Sequence, residues 1–232
     1  MTDLSSRAFI FDMDGTLVDN MQFHTTAWRQ MLSENGVEMD AEEFLIHTAG
    51  KTNAEILPAI FANITGERLQ ELGDRKEALY RGLFLAHRKP VSGVVEFLER
   101  ARQLGIKMAV ATAAPNANVE FILDGLDMRH FFQAVTTAAD IANGKPNPEI
   151  FLRSAEKLNV EPADCLVFED AFNGFEAAHR AGMRSVGIAT VNPVEEILKR
   201  DSVVEAHKDF LDLMPEALIE KYIPEKYIVK ER

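Results

Sequence analysis

From Pro90 onward the chain alternates short apolar runs with segments whose apolar residues recur at helical spacing, and this alternation restricts its possible folds more than any other feature. The pattern predicts helices over 94–104, 119–126, 148–158 and 174–181, and strands over 107–113, 134–137, 165–168 and 185–189. Gly105 and Gly182 fall where helix ends favour glycine. Strands separated by helices run parallel, because a parallel pair needs a long crossover and a helix supplies one. One more apolar run, over 8–11, stands alone near the N-terminus. The segments after it are helical over 21–32, 53–63 and 67–87, with Asn35 and Gly36 as the first stop. The expected fold class is therefore α/β: a Rossmann-like doubly wound parallel sheet core from residues 1–18 and 90–232, with an inserted all-helical cap domain over 19–89. A block inserted directly after a parallel strand stands over that strand's carboxyl end, where open α/β sheets bind their ligands. The crossings near Asp19-Asn20 and Lys89-Pro90 are the expected hinges of such a cap.

Composition narrows the function classes. A length of 232 residues suits a full core plus a smaller insert, and 47% hydrophobic residues support a packed interior. No apolar run approaches the roughly 20 residues needed to cross a bilayer, and the N-terminus lacks a basic region followed by a long apolar core. The expectation is a cytoplasmic protein with no membrane partner. The lone cysteine, Cys165, lies in an apolar run and suits core packing. A formal net charge of −12 opposes nucleic acid, so a phosphorylated ligand would need a local cation or metal.

The chemistry-bearing residues sit at predicted strand ends. The run over 8–11 leads into Asp12-Met13-Asp14-Gly15, and both carboxylates can face one ligand only if the chain turns at once, which Gly15 permits. Thr112, Lys145 and the pair Glu169-Asp170 mark later segments of the same kind. An aspartate can attack phosphorus, and a second carboxylic acid can protonate the leaving oxygen and then activate water. A hydroxyl and a lysine suit phosphoryl oxygens, and further carboxylates suit Mg²⁺, which prefers hard oxygen ligands. Glu169 and Asp170 equally suit a helix start.

In their order these segments resemble the haloacid dehalogenase superfamily, in its phosphatase and phosphomutase branch with a helical cap. The resemblance spans the chain. It rests on Asp12-Met13-Asp14-Gly15-Thr16, Thr112, Gly144-Lys145-Pro146-Asn147-Pro148, and Phe168-Glu169-Asp170 with Asn173-Gly174. It implies Asp12 as nucleophile, Asp14 as general acid and base, and Thr112 and Lys145 as phosphoryl anchors. It also implies a Mg²⁺ site from Asp12, the Asp14 carbonyl, Asp170 and Glu169, the last directly or through water. Asp14 disfavours a dehalogenase, whose halide needs no acid, and the transport ATPases, which carry threonine there.

Within the cap the likeness is to β-phosphoglucomutase and its sugar-phosphate phosphatase relatives, through His24, Trp28, Lys51 and Lys76. The mutase's distal-phosphate arginine would fall on Asn53, leaving Lys51 as a neighbouring substitute. Trp28 at helical spacing equally suits a core position. After Thr112 the mutase carries polar and basic residues that clamp a second phosphate. This chain has Ala113-Ala114-Pro115-Asn116 and keeps only Asn116 of that clamp. The expected activity is thus a phosphatase acting on a small phosphorylated metabolite, with Ala113 and Asn116 among its substrate contacts. β-Phosphoglucomutase activity is the alternative, followed by a noncatalytic phospho-ligand module. Oligomeric state is open, with a monomer compatible.

Overall fold

Ala8–Phe11 forms β1, the inner strand of a six-stranded sheet ordered β3-β2-β1-β4-β5-β6. The others are β2 Lys107–Ala111, β3 Ala134–Thr136, β4 Cys165–Glu169, β5 Arg184–Ile188 and β6 Val203–His207. Every pairing is parallel. This computed structural model describes residues 4–38, 40, 44, 48 and 50–224. Alternation along β1 explains the double winding. Phe9 and Phe11 join one apolar cluster with Phe97, Phe168 and Phe210, while Ala8 and Ile10 join another with Phe151, Ala177 and Ala178 on the opposite face. Phe11 stacks on Phe168 with ring centroids 4.6 Å apart. Each such buried ring stabilises the fold by about 1.5–3 kcal/mol relative to an exposed one. The register pairs Phe11 with both Val110 and Phe168, so β1, β2 and β4 end side by side.

The insert between β1 and β2 contains helices Met21–Glu34, Asn53–Ile60 and Gly66–Phe84. They share a separate apolar cluster built on Trp28, Met31, Leu32, Ile56, Leu57 and Leu72. Its two connections to the core run side by side, with the Val91 N–H donating to the Leu17 carbonyl at 2.9 Å. Among the described residues, no helix is long and apolar enough to cross a membrane.

Several boundaries differ from the sequence expectation. The second cap helix stops at Ile60 rather than 63, and Asn63 takes φ +60°, a left-handed conformation asparagine tolerates. β2 stops at Ala111 rather than 113, because the chain turns there and the Ala114 N–H donates to Thr112 Oγ1 at 3.1 Å. The helix expected from 119 starts at Asn116 and continues as a π-type turn over Glu120–Asp124. Asn118 hides this start from an apolar pattern because it is fully buried yet bonded to Glu77 and Arg81. β6 lay outside the predicted elements. It is a half-buried edge strand whose Glu205 pairs with His207, Lys221 and Tyr222.

Candidate active site

The carboxyl ends of β1, β2 and β4 form the floor of a cavity whose roof is the cap. Asp12, Asp14, Thr112, Ala113, Lys145, Glu169 and Asp170 line it from the core, and His24, Trp28, Lys51 and Lys76 line it from the cap. The chain does turn directly after Asp12: the Leu17 N–H donates to the Met13 carbonyl at 2.9 Å, and the Gly15 N–H donates to Val18 at 2.8 Å. Gly15 has φ +88°, and a Cβ there would fall 2.2 Å from Asp170 Oδ2, so only glycine lets this turn lie against Asp170.

Lys145 is the electrostatic centre of the floor. It is 2% exposed, and its Nζ donates to Asp12 Oδ1 and Glu169 Oε1, each at 2.5 Å. The other Glu169 oxygen accepts from the backbone N–H groups of Asp170 and Ala171 at 2.7 and 2.8 Å. Gly174 leaves room for that carboxylate, since a Cβ would lie 1.8 Å from its Oε1. Asp170 Oδ1 accepts from Thr16 Oγ1 at 3.0 Å. Burial opposes the Lys145 charge, but the carboxylates of Asp12 and Glu169 overcome it and push the ammonium pKa up. Burial raises Asp12 to about 8, against the opposing pull of Lys145, with Glu169 and Asp14 adding to the rise. Asp170 is also raised well above its ordinary value, by burial first and then by Glu169 and Asp12.

One oxygen each from Asp12, Glu169 and Asp170 lies within 4.8 Å of the others. Such crowded buried carboxylates, with a single lysine among them, are what a divalent cation would relieve, and an all-oxygen donor set fits a hard one. The Asp14 carboxylate is turned elsewhere. Its Oδ1 accepts from Asn20 Nδ2 at 2.6 Å and stands 3.4 Å from His24 Nε2 without a hydrogen bond to it.

On the cap side, Lys76 is 3% exposed, and its Nζ lies 2.9 Å from His24 Nδ1 and 2.9 Å from Glu77 Oε1. Since an ammonium only donates, His24 Nδ1 is the acceptor and its proton sits on Nε2, facing Asp14. Trp28 serves both readings open to it: it packs in the cap cluster and also lines the cavity, with Lys76 Nζ 5.1 Å from its ring centre. Lys51 lies at the rim and is exposed. Gly50 has φ +79°, and a Cβ there would lie 2.9 Å from Lys145 Cβ, so the cap loop closes directly on Lys145. Two hydrogen bonds join them: Lys145 N–H to the Gly50 carbonyl and Gly144 N–H to Glu55 Oε1, both 3.0 Å.

Asn116 is a candidate contact that the structure does not bring into the cavity. It is exposed on the first turn of its helix and outside the cavity lining. The buried residue of that turn is Asn118, which faces Glu77. Sequence reasoning also missed Asn20, which is fully buried, holds Asp14, accepts from the Gly15 N–H and donates to Tyr80 Oη at 2.6 Å. The sequence marked it only as a hinge position, because its partners come from a turn and a distant helix.

Comparison with known proteins gives the family. A family model for haloacid dehalogenase-like hydrolases matches residues 6–182. The chain is 34% identical over 181 residues to a fructose-1-phosphate phosphatase of Escherichia coli (strain K12), covering 77% of this chain and 94% of that protein. It is 32% identical over 233 residues to the β-phosphoglucomutase of Bacillus subtilis (strain 168), covering 97% and 98%. The β-phosphoglucomutase structure from Clostridium difficile superposes with a TM-score of 0.81 at 30% identity, covering 94% of this chain and 97% of that one.

Proposed function

The chain belongs to the haloacid dehalogenase-like hydrolases, and from that membership we propose that it is a Mg²⁺-dependent phosphatase of a small sugar phosphate, acting through an aspartyl phosphate on Asp12. The observation that carries this reading is the pairing in one cavity of Asp12, ion-paired to buried Lys145, with Asp14 oriented by Asn20. The Asp12 carboxylate attacks phosphorus while Asp14 gives a proton to the departing sugar oxygen. Asp14 then takes a proton from water, whose oxygen attacks the phosphoryl group, releasing phosphate and restoring Asp12. Thr112 Oγ1 and Lys145 Nζ hold phosphoryl oxygens, and His24 keeps its Nε2 proton toward Asp14. Asp12, Asp170, the Asp14 carbonyl and Glu169 would hold Mg²⁺, the last directly or through water. When bound, Mg²⁺ supplies charge neutralisation for the phosphoryl oxygens as Asp12 approaches.

Hydrolysis is favoured over mutase chemistry by what faces the ligand beyond Thr112. Ala113 and Ala114 line the cavity where a bisphosphate would need cations, and Asn116 lies outside it. Release of inorganic phosphate from a panel of sugar phosphates with Mg²⁺ is expected, together with at least ~10²-fold loss in EDTA, the scale of a lost charge clamp on a transferring phosphoryl group. Conversion of β-glucose 1-phosphate to glucose 6-phosphate, stimulated by the bisphosphate and without net phosphate release, would replace this reading with the mutase.

The cap, residues 19–89, opens for loading. The cavity holds about 100 Å³, well below the ~300 Å³ at which small-molecule pockets begin, which supports a cap that must lift to admit a substrate. The joining hydrogen bonds at Gly50 and Glu55 are each worth only about 1 kcal/mol net, a latch that thermal motion can release. Small-angle scattering is expected to show a smaller radius of gyration with Mg²⁺ and a phosphate mimic than without them. Equal radii would count against closure about Asp19-Asn20 and Lys89-Pro90.

A further inference from the structure

Glu77 is a buried carboxylate of the cap that the proposed reaction does not use. It is 4% exposed yet lines the cavity beside Lys76 and Asn53. Its Oε1 accepts from Lys76 Nζ at 2.9 Å and Asn53 Nδ2 at 2.8 Å, and its Oε2 accepts from Asn118 Nδ2 at 2.6 Å. Arg81 Nη1 in turn donates to Asn118 Oδ1 at 2.7 Å, which orients that amide toward Glu77. Burial works against its ionisation, but the Lys76 charge and the donated hydrogen bonds prevail and lower the carboxyl to about 2.

The Lys76 charge is therefore matched inside the cap before any ligand arrives. A second phosphate at this end of the cavity would face a fixed carboxylate at close range, where little water remains to screen it. It could reach Lys76 only by breaking a buried ion pair, which is costly because it strands Glu77. A hydroxyl there can donate to Glu77 and accept from the Asn53 amide without bringing in a second negative charge. Lys51 does not reverse this balance, since it is exposed at the rim and solvent weakens its pull.

We propose that Glu77, clamped by Lys76, Asn53 and Asn118, is a specificity-determining residue that admits a neutral polyhydroxy group at the far end of the cavity and excludes a second anionic group. This rests on the phosphatase reading above and narrows it to monophosphates whose remaining portion is uncharged.

The test compares kcat/KM for glucose 6-phosphate, glucose 1,6-bisphosphate and 6-phosphogluconate, with purified full-length protein and Mg²⁺. The wild type is expected to prefer glucose 6-phosphate, which has no second anionic group, by about tenfold or more, the scale of a close like-charge contact. Glu77→Gln keeps the size and one acceptor but removes the charge, so the preference is expected to shrink about tenfold, mainly through KM. Comparable turnover of all three by the wild type would overturn the proposal and leave the phosphatase reading intact. An unchanged preference in a Glu77→Gln protein that melts normally would also overturn it. If that variant does not fold, the wild-type ratio alone decides. Failure to hydrolyse any ester would overturn both readings.

Discussion

Replacing Asp12 by asparagine is expected to lower phosphate-ester turnover by ~10⁴-fold or more, the scale seen when a covalent nucleophile is removed, equivalent to about 5 kcal/mol of transition-state stabilisation. The amide matches the carboxylate in shape but cannot form the aspartyl phosphate. The fold should survive, because Lys145 keeps its bond to Glu169 and the Asp12 backbone N–H still donates to the Phe168 carbonyl at 2.9 Å. Phosphate release measured beside a melting curve separates the outcomes. A normally melting variant that retains more than a few per cent of wild-type turnover would remove Asp12 from the nucleophile's role.

Lys145→Met is expected to cost both activity and stability. Removing one partner of a buried ion pair typically destabilises by about 3–5 kcal/mol, and here the loss strands Asp12, Glu169 and Asp170 together. The sign of the pH dependence follows from Asp12. Its folded pKa of about 8 lies above the ordinary 3.8, so the folded state takes up a proton more readily than the unfolded one. The stability this brings is complete below about pH 4 and fades as pH rises through about 8. In cation-free buffer, the deficit of Lys145→Met against wild type should therefore be modest at pH 6 and larger at pH 9, where the carboxyls can no longer shed their repulsion by protonation. Denaturant titrations at the two pH values would show this, and a deficit independent of pH would contradict the charge-balancing role. Activity should fall by ~10²-fold or more, since the proposed anchor for the transferring phosphoryl group is gone.

How much of the molecule was legible in its sequence varies by element, and for physical reasons. β1 and β4 are buried on both faces, so they read as unbroken apolar runs, and the strand-helix alternation then leaves a doubly wound parallel sheet as the natural arrangement. β6 escaped because it is a half-buried edge strand whose Glu205 pairs with Lys221 and Tyr222. The helix start at Asn116 escaped because Asn118 is buried as a polar residue with partners, and hydropathy cannot distinguish that from exposure. In the site, the strand-end residues Asp12, Thr112, Glu169 and Asp170 were accessible because a parallel sheet gathers its carboxyl ends whatever the loops do.

The sequence by itself determined the α/β class, the place of the insert and the chemical types gathered at the strand ends, since these follow from periodicity and local backbone geometry. Only the tertiary structure decided what each polar group does there. Lys145 meets Asp12 across 133 positions, Lys76 meets His24 across 52, and Glu77 meets Asn118 across 41. A charge or hydrogen bond acts over a few ångströms, and one sequence carries no record of which distant groups the fold brings that close. Lys76 shows the difference most clearly: by residue type it is a phosphate-binding cation, and by position it is half of a buried ion pair with Glu77.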